Sequence, residues 1–418
     1  MRIALFAPLS PMRGGVVDYR EELLPHLARH CDIDVYTRDD IAAQAKLGDL
    51  HIFGHREFQE HDRRESYPQV IYQLGCSRDH VPDYEFLMQR PGLSVLHEMN
   101  LAGIIGGLTF ERGRPREYLR AVRKNEGIGP AASVMWRFIR TRSFPGYLAF
   151  NFNRLAFVRS QGLIVHSEYM RRAVTDQLAR YRARRPIYTV NMGMRPVPAL
   201  DQGAIRAELG IESGTFVLGS FGVVHESKGI LTALMALRRL LDQVPDAIYL
   251  LVGIVESESL PHTIRAMGLG DRVRLTGYVA MNDLYRYATA IDVCLNLRLP
   301  RTGGTSASLL RLMSLGRPVI ISDYGQFAEI PDEVCLKVTA GDGAPESVLA
   351  HLLDLAAHRD RGRLIGERAR RFVAEFHSLE GAAAAYWDAI RASVSLGAEP
   401  AMSARVTTAH LGSKSSYR

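Results

Sequence analysis

The sequence has 418 residues but only four cysteines and two tryptophans. Cys31, Cys76, Cys294 and Cys335 stand far apart and form no CxxC pair, which argues against a zinc site and a redox motif. Cys294 and Cys335 fall inside apolar runs and read as small buried hydrophobes. No stretch approaches the roughly 18 apolar residues that span a bilayer as a helix, so an integral helical membrane protein is excluded. The opening run Met1 to Pro8 is too short for the core of a secretion signal, and no small-residue cleavage site follows it. It reads as a first buried strand, and a cytoplasmic protein is expected. Zinc-finger and RNP-like aromatic motifs are missing too, so no nucleic-acid partner is expected even though the net charge is +7.

What is present suits a folded chain of two or three domains, with 47% apolar and 23% charged residues. The charge is uneven. From Glu111 to Ser160 eleven Arg or Lys stand against three Glu, a local +8 that leaves the remainder nearly neutral. A concentrated basic surface suits an anionic membrane or a phosphorylated ligand.

Short apolar runs alternate with helix-period segments. Strands are expected at 2–7, 32–37, 50–53, 69–73, 93–97, 162–166 and 186–190. The pattern restarts at 216–222, 247–253, 273–276, 292–297, 318–322 and 333–338. Helix-like segments at 15–29, 168–180, 229–243, 281–290, 304–315 and 345–357 lie between them. Continuous apolar strands alternating with helices mark parallel sheets covered on both faces. Two series imply an α/β protein with two doubly wound, Rossmann-like domains, 1–195 and 196–375. Their ligand belongs in the cleft at the carboxyl ends of the strands. Beyond 393 the chain becomes rich in Ser, Ala and Thr and reads as a disordered tail.

Four motifs fall at expected strand ends. Gly14-Gly15, after the first strand and opening the first helix, lets backbone approach a ligand, while the helix start favours an anion. A tight turn without a ligand explains these two residues equally well. Gly222 and Lys228, in GVVHESKG, set a cation at the mouth of the second sheet. Gly303-Gly304-Thr305-Ser306 offers a second anion cradle at a helix start, although Thr305 or Ser306 also suits a plain N-cap. His97, ending a strand in the first domain, can donate to a sugar hydroxyl or to developing charge. None of these is the GxGxxG dinucleotide fingerprint.

In order and spacing these motifs resemble the family 4 glycosyltransferases of GT-B architecture, over about 1–392. The resemblance is carried by Phe221-Gly222, Lys228-Gly229, LLVG at 250–253, VRLTGYV at 273–279, Asp283-Leu284-Tyr285 and LGRPVIISD at 315–323. A closer subgroup is echoed by IYQLG at 71–75, the PG and VLH of 91–97, Asn296-Leu297-Arg298, and Gly303 to Arg311. It implies transfer of a sugar from a nucleotide-diphosphate donor, with retention at the anomeric carbon, no metal and no cofactor beyond that co-substrate. By the same resemblance His97 and Lys228 are the catalytic pair, with His97 at the transferred sugar and Lys228 on the diphosphate. Gly14 and Gly15 lie near diphosphate and acceptor, Tyr278 and Val279 meet the base, and Gly222, Arg298, Gly303, Gly304, Thr305 and Ser306 complete the donor site. It also implies a last helix, 376–392, crossing back to the first domain.

The sequence departs from that pattern at several places. Where the family carries Glu-x7-Glu, Gly303 and Arg311 stand; Gly304 replaces a subgroup glutamate; Val223 replaces an arginine; Ala102-Gly103 replaces His-His. These departures keep two alternatives open: a degenerate GT-B protein that binds nucleotide or a protein partner without turnover and, more distantly, a sugar-nucleotide epimerase. The acceptor is left open among glycan, lipid-linked sugar and small molecule. The Arg- and aromatic-rich stretch 135–144 reads either as an amphipathic helix packed on its domain or as a peripheral contact with an anionic membrane at its inner face.

Overall fold

The computed structural model describes residues 1–12, 14–141, 143–144, 149–197, 200–298 and 304–397. Seven strands form the first sheet: β1 (Arg2–Phe6), β2 (Asp32–Thr37), β3 (His51–Gly54), β4 (Val70–Leu74), β5 (Leu93–Leu96), β6 (Gly162–Val165) and β7 (Ile187–Thr189). Six form the second: β8 (Val217–Phe221), β9 (Ile248–Val252), β10 (Val273–Gly277), β11 (Val293–Asn296), β12 (Val319–Ser322) and β13 (Leu336–Val338). Among the described residues the strands of both sheets pair in parallel, in the orders β3-β2-β1-β4-β5-β6-β7 and β10-β9-β8-β11-β12-β13, with one isolated antiparallel bridge between Gly253 and Gly277. Central strands such as β4, β8 and β9 are buried along their whole length, as expected of sheets covered on both faces.

β13 starts later than the apolar run at 333–338 suggests. Val334 and Cys335 are buried, but the Val334 amide donates back to Pro331 O at 3.2 Å and closes a turn instead of extending the ladder. In each sheet the strand order reverses beside the first strand of the series, between β1 and β4 and between β8 and β11. Loops leaving the carboxyl ends of those strands diverge there and leave a crevice. Gly14-Gly15 follows β1, so topology sets it at the crevice of the first sheet, while Gly222 and Lys228 follow β8 and Arg298 follows β11, so topology gathers those three at the crevice of the second.

The two domains share packing. The last helix, Leu379–Gly397, lies against the first helix, Gly15–Leu27, with Tyr386, Ala389 and Ile390 buried. One apolar core continues from the first helix through this last helix to the helix Ala307–Ser314 and the second sheet. The linker and the return segment also pair, the Met194 amide donating to His377 O at 2.7 Å. A disordered tail is expected from 393. Residues 393–397 are helical, because Ser393 is buried and accepts a 2.7 Å bond from Gln69 Nε2; 398–418 lie outside the described residues.

Candidate active site

On the second-domain side, Lys228 turns back over the end of β8 and its Nζ donates to Phe221 O at 2.7 Å. Gly222 makes room for it. At φ 86° the backbone is left-handed, and an added Cβ would sit 2.7 Å from that Nζ. Burial, with Arg298 nearby, pulls the Lys228 ammonium down to about 7. Arg298 is likewise lowered, first by burial, and its Nη2 donates to Ser306 Oγ at 3.1 Å. Neither cation has an ion pair among the described residues. Ser306 Oγ also accepts from the Leu309 amide at 3.2 Å and so caps the helix Ala307–Ser314. The cap and anion readings of Ser306 therefore coexist: the hydroxyl closes one end donor while a cation stands beside it.

On the first-domain side, His97 is buried at the end of β5. Its Nε2 lies 3.0 Å from Arg20 Nη2 and 2.9 Å from Gln73 Oε1. Nε2 thus faces both the guanidinium and an amide oxygen, while Nδ1 is buried with no partner among the described residues. Burial, reinforced by Arg20 and the rings of His166 and His80, holds His97 well below the usual histidine range. Those rings stand at 5.3 and 6.2 Å from it. His97 is thus neutral. Arg20 itself is 3% exposed, has no ion pair among the described residues, and is lowered to about 10 by burial.

The two sides meet. A Cβ added to Gly15 would lie 3.8 Å from Ala307 Cβ, so the two helix starts converge. One added to Gly304 would lie 2.6 Å from His97 O and 3.1 Å from Glu98 Cγ. Gly304 is therefore the residue that this close approach demands, where a glutamate would collide. Arg311 pairs with Glu22 of the first helix at 3.4 Å, both largely buried, so it ties the domains instead of facing the cleft. Val223 is exposed and adds no cation. A cavity of about 270 Å³ between the domains is lined by His166, Ser167, Thr305, Ser306, Gln326 and Phe327 among others. A larger groove lined by Arg171, Arg182, Arg184 and Arg185 lies on the outside of the first domain, beside the start of β7.

Of the residues expected at the site, Gly15, His97, Gly304, Thr305 and Ser306 are brought together across the cleft, and Gly222, Lys228 and Arg298 stand together beside Ser306. Tyr278 and Val279 sit further out beyond β10, Tyr278 half exposed. Gly14 opens the first helix with open space around it, and Gly303 lies outside the described residues. Arg20 and His166 belong to none of the sequence motifs, and Gln73 stands in the IYQLG run without having been singled out, yet all three surround the His97 ring.

Residues 215–358, the body of the second domain, match the family model described as Glycosyl transferases group 1. Solved structures align with nearly the whole chain. A sucrose-phosphate synthase from Thermosynechococcus elongatus is 16% identical over 94% of this chain and 98% of its own, at TM-score 0.65. The fold is GT-B. Anabaena HepE in complex with UDP-glucose gives 16%, 94%, 100% and 0.64. WaaG, a glycosyltransferase involved in lipopolysaccharide biosynthesis, gives 16%, 93%, 99% and 0.62. No curated protein matches the sequence. At such identities the likeness establishes GT-B architecture, with the matched family domain forming the side that carries Lys228, Arg298 and Ser306.

Proposed function

We propose that the protein is a glycosyltransferase that moves a sugar, of the hexose type, from a nucleotide diphosphate to an acceptor hydroxyl, with retention and without a metal. The observation that carries this reading is the pair Lys228 and Arg298, two half-buried cations beside a helix start that have no carboxylate partner among the described residues. A cation drawn partly out of water without a counter-charge is costly, and a diphosphate would supply the missing charge. As the bond from the anomeric carbon to the phosphate oxygen breaks, charge builds on the diphosphate where Lys228, Arg298 and the capped helix can stabilise it. The acceptor oxygen bonds to the same carbon from the same face, and its proton passes to the departing phosphate oxygen. Neutral His97, held by Arg20, offers a ring nitrogen for the sugar, and Tyr278 an exposed ring for the base. The GT-B fold and the group 1 match support this reading, as do the UDP and glucose bound by HepE. A cytoplasmic location goes with it.

The test is release of nucleoside diphosphate and transfer from a panel of nucleotide sugars in EDTA, with the product anomer read by NMR. Arg311, bound to Glu22 where the family carries an acid, favours a second reading: binding without turnover. Nucleotide binding with no release or transfer from any donor would select it.

A further inference from the structure

Among the described residues four α-helices run between β5 and β6, of which the first three, Ala102–Thr109, Pro115–Asn125 and Ile128–Thr141, form an insert ahead of the short helix Arg154–Arg159 that leads into β6. The insert leaves directly after His97 and is closed at its base by the Leu101 amide donating to Asn151 O at 2.8 Å and Asn100 Nδ2 donating to Phe150 O at 3.2 Å. It is therefore rooted at the carboxyl edge of the first sheet, the edge that forms the cleft. The third helix buries one residue fully, Val134. Its other face carries Ile128, Met135, Trp136 and Ile139, exposed to 79%, 42%, 61% and 63%. Positions 128, 135, 136 and 139 recur at helical spacing, so they form one stripe. Arg140 borders it, 4.6 Å from the Trp136 ring, Arg137 follows one step further round the helix, and no acid occurs from Gly127 to Thr141.

We infer that this helix docks on an anionic lipid surface, its stripe entering the boundary between headgroups and chains while the arginines meet lipid phosphates. Charge complementarity selects the partner. The +8 of residues 111–160 sits in a chain otherwise nearly neutral, and a contiguous aliphatic and tryptophan stripe wants hydrocarbon as well as phosphate. A nucleic acid would meet the arginines and leave Ile128 and Ile139 in water. Among the described residues no helix is long and apolar enough to cross a membrane, so contact is peripheral. Resting on the glycosyl-transfer reading, the root of the insert beside His97 assigns the acceptor to the lipid-borne class, presented to the cleft from the bilayer.

The test is co-sedimentation of the full chain with vesicles of phosphatidylcholine alone or with one quarter phosphatidylglycerol, at low and high salt. Binding is expected only to the anionic vesicles, and weaker at high salt. Arg137→Gln with Arg140→Gln should weaken it about 30-fold, from about fivefold per arginine near the surface. Trp136→Ser with Ile139→Ser should weaken it at least tenfold, with unchanged melting temperature, because both side chains are exposed. No sedimentation with anionic vesicles, or equal sedimentation of wild type and both variants, would overturn the inference. So would self-association through Trp136 and Ile139 in vesicle-free solution, or RNA binding lost with the arginines but kept without Trp136. Nucleotide-sugar binding, followed by thermal shift in the same preparations, reports on the donor site separately. Its survival alongside failed docking would remove this inference alone.

Discussion

The Lys228 ammonium, drawn down to about 7 in the free protein, should make donor binding pH-dependent in a defined direction. Only the charged form neutralises a diphosphate, and a bound diphosphate returns the lysine toward its ordinary 10.5. The 3.5-unit difference caps the coupling at about 5 kcal/mol. From pH 7 to 9 the charged fraction of the free site falls from about one half to about 1%, so Kd should rise by up to about 50-fold. At pH 8 binding should take up about 0.9 proton per site. A nucleotide sugar, whose diphosphate is esterified at both ends, has no ionisation of its own in this range. The assay is calorimetry in two buffers of different ionisation enthalpy, with UDP-glucose as the first ligand of a panel. Lys228→Arg, charged throughout, should flatten the profile. A Kd that stays level between pH 7 and 9, with no proton uptake, would refute the placement of Lys228 on the diphosphate.

Gly304→Ala should lower kcat/KM roughly tenfold, since overpacking costs about 1–3 kcal/mol and the new Cβ meets His97 O at 2.6 Å; initial rates check it. Burial pulls His166 down to about 4, below its unfolded value near 6.5. Its contribution is complete above pH 6.5 and is lost as pH falls toward 4, by up to about 3 kcal/mol. Urea midpoints of wild type should therefore drop more steeply with acid than those of His166→Gln. Glu22→Leu, leaving Arg311 buried and unpaired, should cost about 3 kcal/mol, and Glu22→Leu with Arg311→Met clearly less, read from a double-mutant cycle in chemical denaturation.

Strand positions were legible because buried parallel strands are apolar almost throughout, as Ile248–Val252 is and as Val70–Leu74 is apart from Gln73. The glycine and lysine motifs were legible because the loops that leave β1 and β8 must open at the switch point of each sheet. Arg20 was hidden inside an ordinary helix pattern, yet it carried a signal. Val17, Leu23, Leu24 and Leu27 mark the buried stripe, and Arg20 falls on it, a charge where only an apolar residue or a specific partner belongs. The role of Gly304 could not be read, because it depends on where His97 sits across the cleft, and two domains joined by a linker do not encode their approach in local periodicity. The insert between β5 and β6 was visible as charge and as one amphipathic stretch at 135–144, but its helices at Ala102–Thr109 and Pro115–Asn125 were not, the first being apolar nearly throughout and the second rich in Arg and Lys.

A nucleotide sugar held by Lys228 and Arg298 is the central claim. The direct measurement is nucleoside diphosphate release from a nucleotide-sugar panel in EDTA by wild type, Lys228→Ala and Arg298→Ala, with folding checked by circular dichroism. Release selective for one base, falling by 100-fold or more in either variant, as expected when a charged bond of roughly 1.5–3 kcal/mol is lost together with its transition-state share, is the predicted result. Release that is equal in wild type and both folded variants would contradict it.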